Sequence, residues 1–364
     1  MRRRIVVMGP LPPPFGGVSL HIVRFLELLK SEGIRASARP YTGTTRTDRR
    51  GKLAQAARML ARIYTGGWAG PDDVLHIHYG GLGYFLALTP LLALTRARKV
   101  ITFHSVRVLQ DLEGRPAWVR RLTLALLDRF SLFVAVRREI GDDLRTLGLQ
   151  GPAITVMPAF LPPAPAEQDI TRLPAEVGDE LVAAQAAGRI QVCCGAYYLG
   201  KGYGHEDIYG VENLVAALGR RANPGERGLD LWVLVSNTPQ TREQVLAEEA
   251  IRAAGAALSG CRLHLHFGLP LLPVMSRCSG FLRPSREDGD SVAIREAMAL
   301  GMLVLASDVV ARPAGVQTYP VEGGLAPALE LFLGSLEPVA PGSVRGIHSA
   351  DAGRYRSFVH EVMG

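Results

Sequence analysis

Two carboxylates eight residues apart, Asp288 and Glu296, frame the stretch where chemistry concentrates, RPSREDGDSVAIREAMALGMLVLASD at 283–308. An acidic loop, Glu287-Asp288-Gly289-Asp290-Ser291, runs into a segment from Val292 to Leu300 with helical spacing. Ala293, Ala297 and Leu300 fall on one face, beside Ile294 and Met298. Gly301 stops the helix, and LVLAS follows as a short buried strand. A loop at a helix N-terminus offers free backbone N–H groups and the positive end of a dipole, and both suit phosphate. Asp288 precedes the helix and Glu296 lies on it, so both can face a ligand across the helix start. Carboxylates there suit sugar hydroxyls, and the N–H groups of Ser291 and Val292 suit a diphosphate. Acid spacing alone favours an ordinary strand–helix unit with solvated charges.

Three other places carry candidate chemistry. GAYYLGKG at 195–202 puts Lys201 between glycines directly after a strand. GPLPPPFGG follows the first strand and ends in Gly16-Gly17, but it is not the G-x-G-x-x-G of a dinucleotide site. KVITFHS ends at His104, at the carboxyl end of a strand, where α/β sites collect. His76 and His78, two apart on their strand, point the same way. Their spacing permits a metal, yet no third ligand is evident, so packing or lining of a cleft is the expectation. The insertion GYGHEDIYG after Lys201 is polar, and His205, Glu206 and Asp207 in it fit a specificity element or a plain loop.

The stretch 283–308 resembles the signature of retaining glycosyltransferases of family 4, which have the GT-B fold. Their motif is acid, seven residues, Glu, Ala-Met-Ala-x-Gly and a hydrophobic strand. This chain has Asp288, seven residues, Glu296, AMALG and MLVLAS. The first acid of the family is Glu, so Asp288 is a shortening. The family also has Gly-Arg-x-x-x-x-Lys-Gly, whose Arg and Lys neutralise the donor diphosphate. Lys201-Gly202 match, while Ala196 stands at the Arg position, and Arg283 or Arg295 could substitute. The resemblance implies that Gly16-Gly17 reach the donor phosphates across an interdomain cleft. It implies that His104 contacts the donor sugar or transition state, and that Lys201, Asp288 and Glu296 serve catalysis. Donor contacts are implied for Gly16, Gly17, Lys201, Asp288, Gly289, Asp290, Ser291, Val292 and Glu296. It implies no metal ligand, no cofactor beyond the donor, UDP ahead of GDP or ADP, and a front-face mechanism.

The elements that must position these residues alternate strand and helix twice. RIVVMG, IRASARPY, VLHIHY, KVITFHS, LFVAV and AITVMP read as strands of a first parallel sheet. Helices are expected from about Val18 to Ser31, Leu53 to Tyr64 and Pro116 to Arg129, with a polar stretch at 41–52. AFLPPAPAEQD is the linker candidate. RIQVCCG, LDLWVLVS, RLHLHFG, GFLRPS and MLVLAS begin the second alternation. The fold class is therefore α/β, with two doubly wound Rossmann-like domains facing across a cleft. The resemblance implies that residues 1–160 bind acceptor and 175–345 the donor, with the tail 346–364 packing back on the first domain.

Composition bounds the rest. The 364 residues suffice for two domains, and 48% apolar residues argue against disorder. Four cysteines have neither disulfide-framework nor zinc spacing, so a reduced, cytoplasmic setting is expected. MRRRIVVMGPLPPP has only a five-residue apolar run before prolines, so no secretory signal is expected. Residues 1–150 carry a net +13 and the remainder −6. A basic first half suggests an anionic partner such as the inner membrane face or a lipid-linked acceptor, or else a solvated Arg-rich surface. No nucleic-acid signature accompanies it. The expectation is hexosyl transfer from a nucleotide sugar, in polysaccharide or glycoconjugate biosynthesis, to a saccharide, lipid-linked or small-molecule acceptor. The alternatives are a non-catalytic nucleotide-sugar-binding subunit, a GT-B epimerase or phosphorylase, and a dinucleotide oxidoreductase.

Overall fold

A computed structural model describes residues 4–12, 15–40, 61, 69–202, 206–220, 228–348 and 352–363. The stretch expected to be polar at 41–52, the expected helix Leu53 to Tyr64 (but for Ala61) and His205 lie outside these residues. The chain forms two compact units, one of residues 1–12, 17–161 and 350–364, the other of 13–16 and 162–349.

The first unit runs β1 (Arg4–Gly9), α1 (Gly17–Ser31), β2 (Arg35–Pro40), β3 (Val74–His78), α2 (Leu82–Ala87), α3 (Thr89–Leu94) and β4 (Arg98–Phe103). It continues α4 (Arg107–Leu112), α5 (Ala117–Leu127), β5 (Leu132–Ala135), α6 (Arg138–Arg145) and β6 (Ala153–Val156). Its sheet is parallel, in the order β2-β1-β3-β4-β5-β6. Strands flanked by helices on both faces must be apolar throughout, and β3, β4 and β5 are buried almost end to end. The core under α1 takes Ile22, Phe25 and Leu29 from the helix and Ile5, Val7, Val74, Val100 and Val134 from the sheet. A helix from the far end of the chain, Ala352–Met363, completes it with Tyr355, Phe358 and Val359.

The second unit runs α7 (Ala175–Ala186), β7 (Ile190–Ala196), α8 (Val211–Gly219), β8 (Leu229–Val235), α9 (Arg242–Ala256), β9 (Cys261–Phe267) and α10 (Leu271–Met275). It continues β10 (Gly280–Arg283), α11 (Val292–Ala299), β11 (Leu303–Ser307), β12 (Gln317–Tyr319) and α12 (Leu325–Gly334), and the terminal helix of the first unit is then α13. The order is β12-β11-β10-β7-β8-β9, all parallel. Each face has its own core. Val192, Leu231 and Val233 pack toward α8 and α12, while Cys193, Trp232 and Phe281 pack toward α7 and α11.

Sheet order fixes where a ligand can sit. In the second sheet the chain moves outward from β7 to β8 and β9, then returns to β10 and moves outward the other way. Helices that leave β7 and β10 therefore diverge to opposite faces, and a crevice opens between the carboxyl ends of those two strands. In the first sheet the same reversal falls between β1 and β3.

Candidate functional site

At the switch point of the second sheet, β10 ends in Arg283 and β7 ends in Ala196. Arg283 spans the gap: its Nη1 donates to the Gly195 carbonyl at 2.9 Å. Its Nε and Nη2 grip Asp288 at 3.0 and 2.9 Å. Arg312 closes on the same carboxylate from the other side, Nη1 to Oδ2 at 2.7 Å. Ser285 Oγ and the Gly289 N–H also donate to Asp288. Burial works to raise the Asp288 pKa, but Arg283, and Arg312 after it, hold it below the ordinary carboxylate range. Asp288 is 6% exposed and holds two guanidinium groups.

The helix start beside it is built as a capped N-terminus. Ser291 is the N-cap of α11, its Oγ accepting from the Ile294 N–H at 3.4 Å. The first N–H groups, from Val292 onward, have no acceptor within the helix. Gly301, at φ 64°, ends the helix, with its N–H donating to Met298 and the Met302 N–H to Ala297. Glu296 is buried on this helix at 2% exposure. Asp290 is held by Arg295, whose Nε lies 2.7 and 2.9 Å from its two oxygens. Of the two arginines that could replace the missing cation at 196, Arg295 is thus committed to Asp290, and Arg283 is the one beside Ala196.

Lys201 lies exposed in the loop after β7, its Nζ 2.8 Å from Glu206 Oε2. Glu206 raises its pKa, so it is a cation at any physiological pH. The insertion thereby gains a physical account. Asp207 caps α8 by accepting from the N–H groups of Val211 and Asn213, both at 3.1 Å. Tyr209 lies under Arg283, whose Cζ is 5.3 Å from the ring centre. Gly210 is required here: at φ 70° its Cβ would come 2.0 Å from the Pro284 carbonyl, so this loop is seated on the one after β10.

Gly16 directly precedes α1 of the first unit, and Gly17 opens it, after the β1 end of the switch point. His78 ends β3 on the other side, and His104 follows β4 by one residue rather than belonging to it. His78 Nδ1 and His104 Nε2 share a proton at 3.0 Å. His21, on α1, accompanies them, its Nδ1 2.7 Å from the Ala159 carbonyl. His76 stacks on His78 and bonds Thr102 at 2.8 Å. Burial pushes His21 down to about 4 and His76 to about 3, and holds His78 and His104 well below the ordinary value, so all four rings are neutral. The spacing of His76 and His78 shows no third ligand, but the fold supplies one set: His21, His78 and His104 bring ring nitrogens within 4.8 Å of one another. His21 was legible in principle, being one turn before Phe25 on the buried stripe of α1.

Residues 15–164 match the model of Glycosyltransferase Family 4. The first unit is thus similar to the family 4 glycosyltransferase domain. No curated protein sequence matches the chain. Solved structures share its two-unit GT-B fold at low identity. Sucrose-phosphate synthase from Thermosynechococcus elongatus is 16% identical at a TM-score of 0.63, over 100% of this chain and 96% of that one. The α,α-trehalose 6-phosphate synthase of Burkholderia multivorans is 14% identical at 0.60, over 92% and 91%. Anabaena Alr3699/HepE, solved with UDP and glucose, is 13% identical at 0.57, over 92% and 89%.

Proposed function

We propose that this glycosyltransferase takes a hexose from a UDP-sugar and passes it, with retention, to an acceptor hydroxyl. The observation that carries the reading is the gathering at the second switch point of Lys201, Arg283, Arg312 and the Ser291-capped helix start. A departing diphosphate needs fixed positive charge and aimed N–H donors, which cost nothing to reorganise during the reaction. Gly289, Ser291 and Val292 offer the backbone donors, and Lys201 neutralises the leaving group. Glu296 holds donor hydroxyls. Asp288 and Asp290 act through the arginines that they fix. Gly16 and Gly17, at the start of α1, offer a second set of phosphate-seeking N–H groups. His104 serves as a neutral hydrogen-bonding group for the sugar. UDP is favoured as the donor nucleotide by the complex of the Anabaena relative.

The acceptor belongs to the first unit in this reading, and a lipid-linked or growing saccharide at the cytoplasmic membrane face fits its surface. The apolar segment Tyr84 to Leu94 in the basic half of the sequence is mostly buried, at Phe85, Leu88, Leu91 and Leu92, with Leu94 exposed. Two further exposed apolar side chains fall on α5, where Trp118 is 67% exposed and Leu122 is 37% exposed. Arg115, Arg120 and Arg121 surround them and are exposed too. An aromatic and a leucine ringed by arginines suit the interface of an anionic bilayer. No described helix is long and apolar enough to cross a membrane.

Thermal shift with UDP, GDP and ADP, followed by a donor-hydrolysis assay, tests the proposal. UDP should raise Tm most, since binding to the native state alone stabilises it. Glu296→Gln should keep the fold and cut transfer by one to several factors of ten, a loss of about 1.5–3 kcal/mol. Binding of UDP without hydrolysis or transfer of any UDP-hexose would overturn catalysis in favour of a nucleotide-sugar-binding subunit.

A further inference from the structure

At the free edge of the second sheet, remote in sequence from the donor loops, β9 carries His264 and His266 two residues apart, hence on one face. Glu180 of α7 lies against them. One ligand atom from each of these three residues lies within 4.8 Å of the others.

The surroundings of His264 are those of a cation site. Its Nε2 is 2.9 Å from Asp230 Oδ1, and its Nδ1 is 3.2 Å from Glu180 Oε2. A neutral imidazole has one N–H and cannot donate to both carboxylates. Asp230 is fully buried and pinned through its other oxygen by Arg189, so it fixes the Nε2–H tautomer. Nδ1 then faces a Glu180 carboxylate oxygen, and a metal ion between the two would be bound by both. The 3.2 Å separation is close to the edge of a tetrahedron with metal–ligand bonds of ~2.0–2.1 Å. The Asp230–His264 pair is also the outer-shell carboxylate that orients a ligating histidine.

His266 supplies a second, independent sign. Its Nε2 is buried and meets no hydrogen-bond partner among the described residues. Trp232 stacks on His264 at 3.9 Å and 8°, and lies 17° from the plane of His266, so the rings stand nearly parallel on a rigid platform. Glu176, one turn before Glu180, adds negative charge toward His266, and Arg252, paired with Glu248, is the opposing cation.

We propose that Glu180, His264 and His266 form a site for a zinc-class divalent metal ion that clamps the edge strand β9 to α7. The donor set, two imidazoles and one carboxylate, leaves a fourth position for water. The clamp would also blunt an exposed strand edge.

The test is calorimetric titration of zinc alone into the untagged full chain, stripped with chelator. One equivalent should bind, and Co(II) in its place should give the visible absorption of a tetrahedral site. Glu180→Ala, at an exposed position that leaves folding intact, and His266→Ala should each weaken zinc binding at least ~10-fold. Absence of stoichiometric binding would sink the site. Undiminished binding in both variants would place the ion elsewhere, as at His21, His78 and His104, and would equally overturn it.

Discussion

The decisive residue-level fact is that the charged groups around the donor loop are already spoken for. Asp288 neutralises Arg283 and Arg312, and the three side chains are largely shielded, at 6%, 13% and 3% exposure. Removing one member of such a set leaves uncompensated charge away from water. Asp288→Ala is therefore expected to destabilise the second unit by about 3–5 kcal/mol, read from denaturant unfolding. A stability equal to wild type would return Asp288 to the role of a sugar ligand. Lys201 is in the opposite situation, exposed and held only by Glu206. A diphosphate must displace that carboxylate to reach Nζ. Glu206→Gln should then tighten UDP binding about two- to fivefold, the scale of an exposed ion pair, and Lys201→Ala should lower kcat. If Glu206→Gln leaves the UDP Kd unchanged, the insertion's acid plays no part in donor access.

At the scale of elements, β3, β4 and α1 bring four histidines into one buried cluster. Their rings are neutral in the fold but take protons once the chain opens, where the ordinary value is about 6.5. Below that pH the unfolded state binds more protons, so stability falls as pH drops through the window from 6.5 toward 4. His21 alone, at about 4, accounts for about 3 kcal/mol of that loss. Hydrogen exchange of the β3 and β4 amides should quicken over this window, and His21→Gln should flatten the trend. Exchange independent of pH-driven opening would show that the cluster is solvated. The same elements show what a sequence conveys. Buried parallel strands are continuous apolar runs, so VLHIH, KVITF, LDLWVLV and LVLAS were readable along with the α/β fold, and Gly301 marked the end of α11. The pairing of Arg312 with Asp288 was not readable, because they are 24 positions apart with a helix and a strand between them, and only the fold brings them together. His21 reads as one more position on a helix face until β3 and β4 are placed beside it. Strand β12, three residues long and half exposed, carries no periodic signal at all.

For the whole molecule the question is where it works. Charge is segregated, +13 in residues 1–150 and −6 after them, and the exposed apolar side chains of α5 lie within the basic part. Each Lys or Arg close to an anionic surface contributes ~1 kcal/mol, so Arg115, Arg120 and Arg121 with Trp118 suffice for reversible docking without a spanning helix. Raising salt from 0.1 to 1 M shortens the screening length from about 10 Å to about 3 Å, which should release the electrostatic part. Co-sedimentation with vesicles containing phosphatidylserine or another anionic lipid is expected at low salt, weak for neutral vesicles and lost at high salt. Arg120→Ala with Arg121→Ala should weaken it several-fold, and Trp118→Ala should weaken the part that salt does not remove. UDP binding should be untouched in both, because α5 belongs to the unit that does not carry Lys201 or α11. Absence of low-salt binding would make the arginines ordinary solvated charges and point to a soluble acceptor, with sugar transfer itself unaffected.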